Sequence, residues 1–244
     1  MSGPIALVGS GEYLPVLESV EAALIEGRPP RYVQLATAAA PEGRSVLQRW
    51  HDLGADAARR LGVEQVVVDV VDGESANDPD QARLVAGAGL VYLSGGSPMY
   101  LTQALQGALV WEAILDAWRG GAALAGCSAG AMALGAGFPD LRRPWRQAIP
   151  GLGVVPGIEV LPHFDAFASR MPDLVLRRVS GAPDGVQVVG IDEDTALVTG
   201  LDGLEDGPAA GAWRVQGRQS VWLLGTHGRQ GYAAGRVVHL PAPL

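Results

Sequence analysis

The stretch GGAALAGCSAGAMALGAG, residues 120–137, decides how the rest of the chain is read. A short apolar run of small residues, Ala122 to Ala125 followed by Gly126, leads straight into Gly126-Cys127-Ser128-Ala129-Gly130, a G-x-S-x-G pattern. Between a strand and a helix this pattern is a nucleophile elbow. The attacking residue stands on a strained turn, and its neighbours must be small to avoid clashing. Gly126, Ala129, Gly130 and Ala131 meet that demand. Ser128 is then the candidate nucleophile, and the backbone N–H of Ala129, at the helix start, points at a developing oxyanion. Cys127, the sole cysteine, is the rival nucleophile. The structural alternative is a small-residue turn that only lets a helix pack on a strand.

Outward from the elbow, apolar strand patterns alternate with helical ones. Strands are predicted over 5–8, 32–36, 65–71, 90–93 and 122–125, and helices over 13–25, 41–61, 77–86, 98–105 and 109–118. Pro41 suits a first helical turn and Gly62 a helix stop. The continuous β-branched run 65–71 predicts a strand covered on both faces. Beyond Pro150, short runs at 157–161, 186–191, 195–199, 213–215, 221–224 and 237–240 predict late strands and hairpins finishing one sheet edge. The expected fold is α/β: a single domain over 1–244, with a mostly parallel central sheet, helices on both faces and C-terminal β-hairpins at the sheet edge.

Composition narrows the class. The 244 residues are 48% hydrophobic and 18% charged, with a net charge of −8. That balance supports a sizeable core and argues against nucleic acid or an anionic membrane as partner. No basic leader opens the chain, and no run approaches the about 20 apolar residues of a membrane span. One cysteine excludes an intramolecular disulfide framework and fits a reducing, cytoplasmic setting. Metal-ligand spacing, a P-loop and a G-x-G-x-x-G first turn are all missing, so no metal and no cofactor are expected.

A serine nucleophile needs an oxyanion hole, a base and an orienting acid. Ser94-Gly95-Gly96-Ser97-Pro98 follows a strand, so a bare backbone N–H of the paired glycines can supply the second oxyanion donor. The same residues also read as an ordinary turn with Ser97 as N-cap and Pro98 at the first helical position. Gly9-Ser10-Gly11-Glu12 lies at the same rim and poses the same ambiguity more weakly. Of four histidines, His51 sits in a helical pattern, His227 in a glycine-rich turn and His239 in a terminal strand. His163 ends an apolar run and occupies the rim position, which makes it the candidate base. The acid is open from residue type alone: Asp192, Glu193 and Asp194 follow one strand, with Asp140 and Asp165 as alternatives. The cluster Arg142, Arg143 and Arg146 reads as an exposed loop, or else as a grip on a substrate carboxylate.

Taken together and in order, Gly95-Gly96, the 126–131 elbow, Pro162-His163-Phe164, and the Gly190–Glu193 segment followed by Thr195-Ala196-Leu197 resemble peptidase family S51. This is the group of cyanophycinase and dipeptidase E, with a class I glutamine amidotransferase-like fold. The resemblance implies Ser128 as nucleophile, His163 as base, Glu193 as orienting acid, and backbone N–H groups of Gly96 and Ala129 as oxyanion hole. It makes Cys127 a bystander directed away from the cleft. In the dipeptidase E branch the acid instead lies soon after the elbow helix, near Asp140, where the spacing does not match. At the positions where cyanophycinases carry an Asp-Gln pair and an arginine-rich stretch, this chain has Ser97-Pro98 and the segment Asp165 to Arg170. Gly95, Ser97, Asp165 and Arg170 are therefore the expected substrate-binding residues, and cyanophycin itself is disfavoured.

The resulting expectation is a serine hydrolase of amide bonds in small peptides or isopeptides, acting through an acyl-enzyme at Ser128. Two alternatives stand beside it: a non-catalytic ligand-binding or regulatory member of the same fold, and a Cys127-dependent hydrolase. Monomer and homodimer both stay open.

Overall fold

The computed structural model describes residues 2–140, 148–168, 171–172, 176, 182–201, 211–225 and 228–244. Five parallel strands form one part of the main sheet: β1 (Ile5–Val8), β2 (Arg31–Leu35), β3 (Glu64–Val67), β4 (Leu90–Leu93) and β5 (Ala123–Cys127). Between them run α1 (Glu18–Ile25), α2 (Arg44–Leu61), α3 (Pro79–Leu84), α4 (Pro98–Leu105) and α5 (Leu109–Arg119), and α6 (Ala129–Leu134) leaves β5. Two minimal strands follow, β6 (Gly137–Phe138) and β7 (Ile149–Pro150), then β8 (Ile158–Leu161), β9 (Gln187–Ile191) and β10 (Thr195–Thr199). The chain closes with β11 (Ala212–Gly217), β12 (Ser220–Gly225), β13 (Gly228–Ala233) and β14 (Val237–His239).

The main sheet runs β14-β11-β10-β1-β5-β4-β2-β3, parallel from β1 to β3 and antiparallel from β1 to β14. Because strand side chains alternate, each strand feeds two cores. Ile5, Leu7, Val33, Leu35, Val91, Leu93 and Leu124 pack on the face covered by α4, α5 and α6. Ala6, Val8, Tyr32, Tyr92, Ala125 and Cys127 pack on the opposite face, against α1 and α2. Cys127 thus belongs to the α1–α2 face by strand parity.

The late strands do not all finish one edge. Only β10, β11 and β14 extend the main sheet, while β8, β9, β12 and β13 form a separate sheet in the order β13-β12-β9-β8. The turn between β9 and β10 carries the chain from one sheet to the other. Other boundaries shift for local reasons. Tyr13 has φ 64°, so the expected helix over 13–25 becomes a 3₁₀ turn, Pro15–Leu17, ahead of α1. Pro41 lies in a 3₁₀ segment, Thr37–Glu42, and Gly43 at φ 98° delays α2 to Arg44; Gly62 ends that helix in the left-handed conformation as expected. The 65–71 run pairs only as far as Val67, at the sheet's edge with Glu64 exposed; Val68 and Val70 reach the core from the loop beyond. Among the described residues no helix is long and apolar enough to cross a membrane.

One carboxyl group lies deep in the α1–α2 face. Glu21 is buried and accepts the backbone N–H of Tyr13 at 3.0 Å. Burial pushes its pKa up from 4.5 to about 7. Between those values the folded chain holds a proton that the unfolded chain has lost, so stability falls as pH rises through this window, by about 3 kcal/mol in all. Glu21→Gln keeps an acceptor for Tyr13 and removes the titration. Its melting temperature should exceed that of the wild type by several degrees at pH 8 and match it near pH 4.5. An equal gap at both pH values would refute this origin.

Candidate active site

Strand register assembles the site. Val8 lies opposite Cys127 and Leu93 opposite Gly126, so the turns after β1, β4 and β5 emerge side by side. In the second sheet Leu161 lies opposite Gly190, which brings the segments following β8 and β9 together. Since β10 is antiparallel to β1, with Ala196 opposite Val8, the β9–β10 turn returns to the same rim.

Ser128 stands between β5 and α6 with φ 49° and ψ −107°, a backbone conformation that costs a non-glycine residue about 1–3 kcal/mol. Its N–H donates to Val8 O at 2.9 Å, which pins the strained residue to β1. Close packing enforces the turn. A Cβ at Gly126 would lie 2.5 Å from the backbone of Gly130, and one at Gly130 would lie 2.3 Å from Leu93 O.

Ser128 Oγ is 3.1 Å from His163 Nε2, and His163 Nδ1 is 2.8 Å from Glu193 Oε1. With Nδ1–H donated to the carboxylate, Nε2 is left as acceptor for the serine hydroxyl. His163 also has positive φ, 50°, at its post-strand position. The His163 and Glu193 side chains are 36% and 44% exposed, so the relay lies open to an incoming molecule.

The three consecutive acids are sorted by where each side chain goes. Asp192 is buried and accepts from Trp222 Nε1 at 3.0 Å and from the N–H of Ser220 at 3.2 Å; burial raises its pKa. Asp194, at φ 54°, pairs with Arg218 at 3.4 Å. Only Glu193 of the three meets His163. Asp140 lies just past β6, and it is Glu193 that engages His163 Nδ1.

Asp165 supports this acid. Its Oδ1 accepts the N–H of Glu193 at 2.8 Å and its Oδ2 accepts Gln219 Nε2 at 2.9 Å. Burial alone raises the Asp165 pKa, but these hydrogen bonds outweigh it and hold the carboxyl below its ordinary value. Gln219 Nε2 also donates to Glu193 O at 3.0 Å, as does Thr195 Oγ1. Asp165 is among the expected substrate-binding residues; here one of its oxygens is engaged with the N–H of Glu193 and the other with the Gln219 side chain. Thr195 lies in the Thr195-Ala196-Leu197 segment of the family resemblance, whereas Gln219 carries no motif that would single it out in a lone sequence.

On the other side of Ser128, the Gly95-Gly96 turn is in close contact: a Cβ at Gly95 would lie 3.5 Å from Ser128 Cβ. Gly96 has φ 136°, and a Cβ there would lie 2.4 Å from Ala38 O, so no other residue fits. Ser97 caps α4, its Oγ accepting the N–H of Tyr100 at 3.3 Å. The N–H of Ala129, first in α6, lacks an intrahelical acceptor by geometry. Arg170, His227 and the cluster Arg142, Arg143 and Arg146 lie outside the described residues. His51 is half-buried on α2, where burial lowers its pKa, and His239 is exposed on β14.

Cys127 is fully buried, and its Sγ–H donates to Glu12 Oε2 at 2.8 Å. Burial, reinforced by the Glu12 carboxylate, pushes the thiol pKa well up. A thiol that is both inaccessible and protonated is unreactive. Iodoacetamide at pH 7.5 should therefore leave Cys127 unmodified in the folded protein and alkylate it fully after unfolding, as read by intact mass. Rapid alkylation of the native protein would contradict this.

The family model for Peptidase family S51 matches residues 45–205, and the chain belongs to that family. Among curated relatives, the cyanophycinase of Synechococcus elongatus is 31% identical over 179 residues, 69% of this chain and 52% of that protein. The cyanophycinase of Trichormus variabilis is 36% identical over 153 residues, 59% of this chain and 50% of its own length. The chain spans about half the length of the curated relatives it matches. The crystal structure of a peptidase from an acI-B1 actinobacterium superposes with a TM-score of 0.87 at 37% identity, covering 98% of this chain and 97% of that one. A peptidase E-type protein of Listeria monocytogenes shares the fold, with a TM-score of 0.55 at 17% identity over 81% of this chain and 94% of its own. The matched span takes in Ser128, His163 and Glu193 and leaves Glu12 outside.

Proposed function

We propose that the protein is a serine-type peptidase of small peptides or isopeptides, built as one domain over 1–244. The observation that carries this reading is the continuous relay from Ser128 Oγ to His163 Nε2 at 3.1 Å and from His163 Nδ1 to Glu193 at 2.8 Å. Ser128 Oγ attacks the scissile carbonyl and its proton passes to His163 Nε2. The tetrahedral oxygen is held by the N–H groups of Gly96 and Ala129. On collapse the imidazolium gives its proton to the leaving amine, and an ester remains on Ser128. Water, deprotonated by the same histidine, attacks that ester and frees the acid product. Glu193 holds the imidazole in the tautomer this sequence requires. Family membership supports the hydrolytic class.

Cyanophycin is a weak candidate substrate, because Ser97-Pro98 and Asp165 replace the residues expected to read it, and Asp165 is engaged with the Glu193 turn. The reading is tested with a panel of free dipeptides, isoaspartyl dipeptides and blocked peptides, scored for released amine. Turnover of at least one small peptide, lost in Ser128→Ala, is the expected result. Turnover that persists in Ser128→Ala would reject the assignment, and a panel with no turnover would favour a non-catalytic binding protein.

A further inference from the structure

The turn after β1 places a buried carboxyl group between the two halves of the site. Glu12 is 6% exposed. Its Oε1 accepts the N–H of Gly95 at 3.0 Å, and its Oε2 accepts the thiol of Cys127, the residue before Ser128, at 2.8 Å. One side chain therefore spans from the Gly95-Gly96 turn to the nucleophile elbow. The next residue, Tyr13, is anchored at both ends. Tyr13 N–H donates to Glu21 at 3.0 Å, and the Tyr13 hydroxyl lies 2.7 Å from Ser94 Oγ.

Three successive amides leave β4, and each has a distinct assignment. The N–H of Gly95 goes to Glu12, and that of Ser97 goes to Ala38 O at 2.8 Å. Among the described residues, the N–H of Gly96 between them has no acceptor. Two adjacent glycines have little intrinsic preference for any one peptide orientation, so this arrangement must be imposed from outside.

We infer that Glu12 is the positioning residue of the oxyanion hole: by bracing Gly95 against Cys127 it aims the Gly96 N–H and fixes its distance from the Ala129 N–H. The inference rests on the acyl-transfer reading of Ser128. The hydrogen bonds of Glu12 go to Gly95 and Cys127 and not to Ser128 or His163, so it acts through the donors. Preorganised donors stabilise charge that develops only in the transition state, so loosening them slows reaction without weakening encounter.

The test is the saturation kinetics of Ser128 phosphonylation by an alkyl fluorophosphonate, in which the serine oxygen displaces fluoride and the phosphoryl oxygen occupies the oxyanion site. Glu12→Ala should lower the maximal rate of inactivation on the order of 10²-fold, with half-saturation changed less than threefold. Glu12→Asp keeps the acid but is too short to span both partners, and should lose at least about tenfold. Glu12→Gln retains an oxygen for the Gly95 N–H and should recover to within about tenfold of the wild type. Cooperative thermal unfolding of each variant confirms the fold, and Glu12→Asp and Glu12→Gln carry the test if the alanine variant does not fold. Wild-type inactivation rates in Glu12→Ala or Glu12→Asp, or a glutamine variant slower than the aspartate variant, would overturn the role of Glu12 alone. A wild-type protein that is never phosphonylated would instead overturn the acyl-transfer reading, and this inference with it.

Discussion

Ser128→Ala should lower kcat by on the order of 10⁴ or more while leaving the fold intact, because the reaction then lacks its attacking oxygen but nothing in the core changes. His163→Ala should fall by a similar factor, since an unactivated hydroxyl is a poor nucleophile. The two losses should not add in the double variant, as expected of groups that act as one unit. The same position predicts a stability effect of opposite sign. Ser128 holds φ 49° and ψ −107°, so Ser128→Gly should raise stability by about 1 kcal/mol while abolishing turnover. Thermal melts alongside rates on one substrate decide both points. A Ser128→Ala protein within tenfold of the wild-type rate would remove serine from the mechanism.

The second large effect separates neighbouring acids. Glu193→Gln should cost on the order of 10³–10⁴ in kcat, because a neutral amide neither fixes the donating Nδ1 tautomer nor stabilises the imidazolium. Asp192→Asn should behave differently. Its carboxyl is tied to Trp222 and Ser220 beneath the turn, so the change should alter stability while kcat stays within tenfold. Asp165→Asn should fall between them, since its oxygens hold the N–H of Glu193 and the Gln219 side chain that bonds the Glu193 carbonyl, and not the histidine. Comparison of kcat across the three variants on one substrate is sufficient. Equal losses in Glu193→Gln and Asp192→Asn would show that the acid is not chosen by its contact with His163.

Much of this arrangement is legible in the sequence, and the limits have physical causes. The strand patterns before the elbow and the glycines around Ser128 are local features, so β1, β2, β4, β5 and α6 follow from periodicity and small-residue packing. The division of the late strands is not local. The runs that become β9 and β10 look alike, and only long-range pairing sends one to the second sheet and the other beside β1. The choice of Glu193 over Asp192 came from family resemblance, because adjacent acids point to opposite sides and parity alone does not say which side holds a histidine 30 residues upstream. Cys127 is the reverse case: strand parity along Ala123, Ala125 and Cys127 places it on the α1–α2 face. Glu12 lies in the Gly9–Glu12 turn at the rim, but nothing in that turn says which groups its carboxyl meets. Its role appears only when β1, β4 and β5 stand in register and their end turns meet over one carboxyl group.

The most direct test of the central claim is covalent: incubate the folded protein with a fluorophosphonate, digest it, and locate the adduct by peptide mass, with His163→Ala in parallel. The account predicts a single adduct on Ser128 that is lost in the His163 variant. A folded wild-type protein that takes up no label, or labelling of Ser128 undiminished without His163, would contradict it.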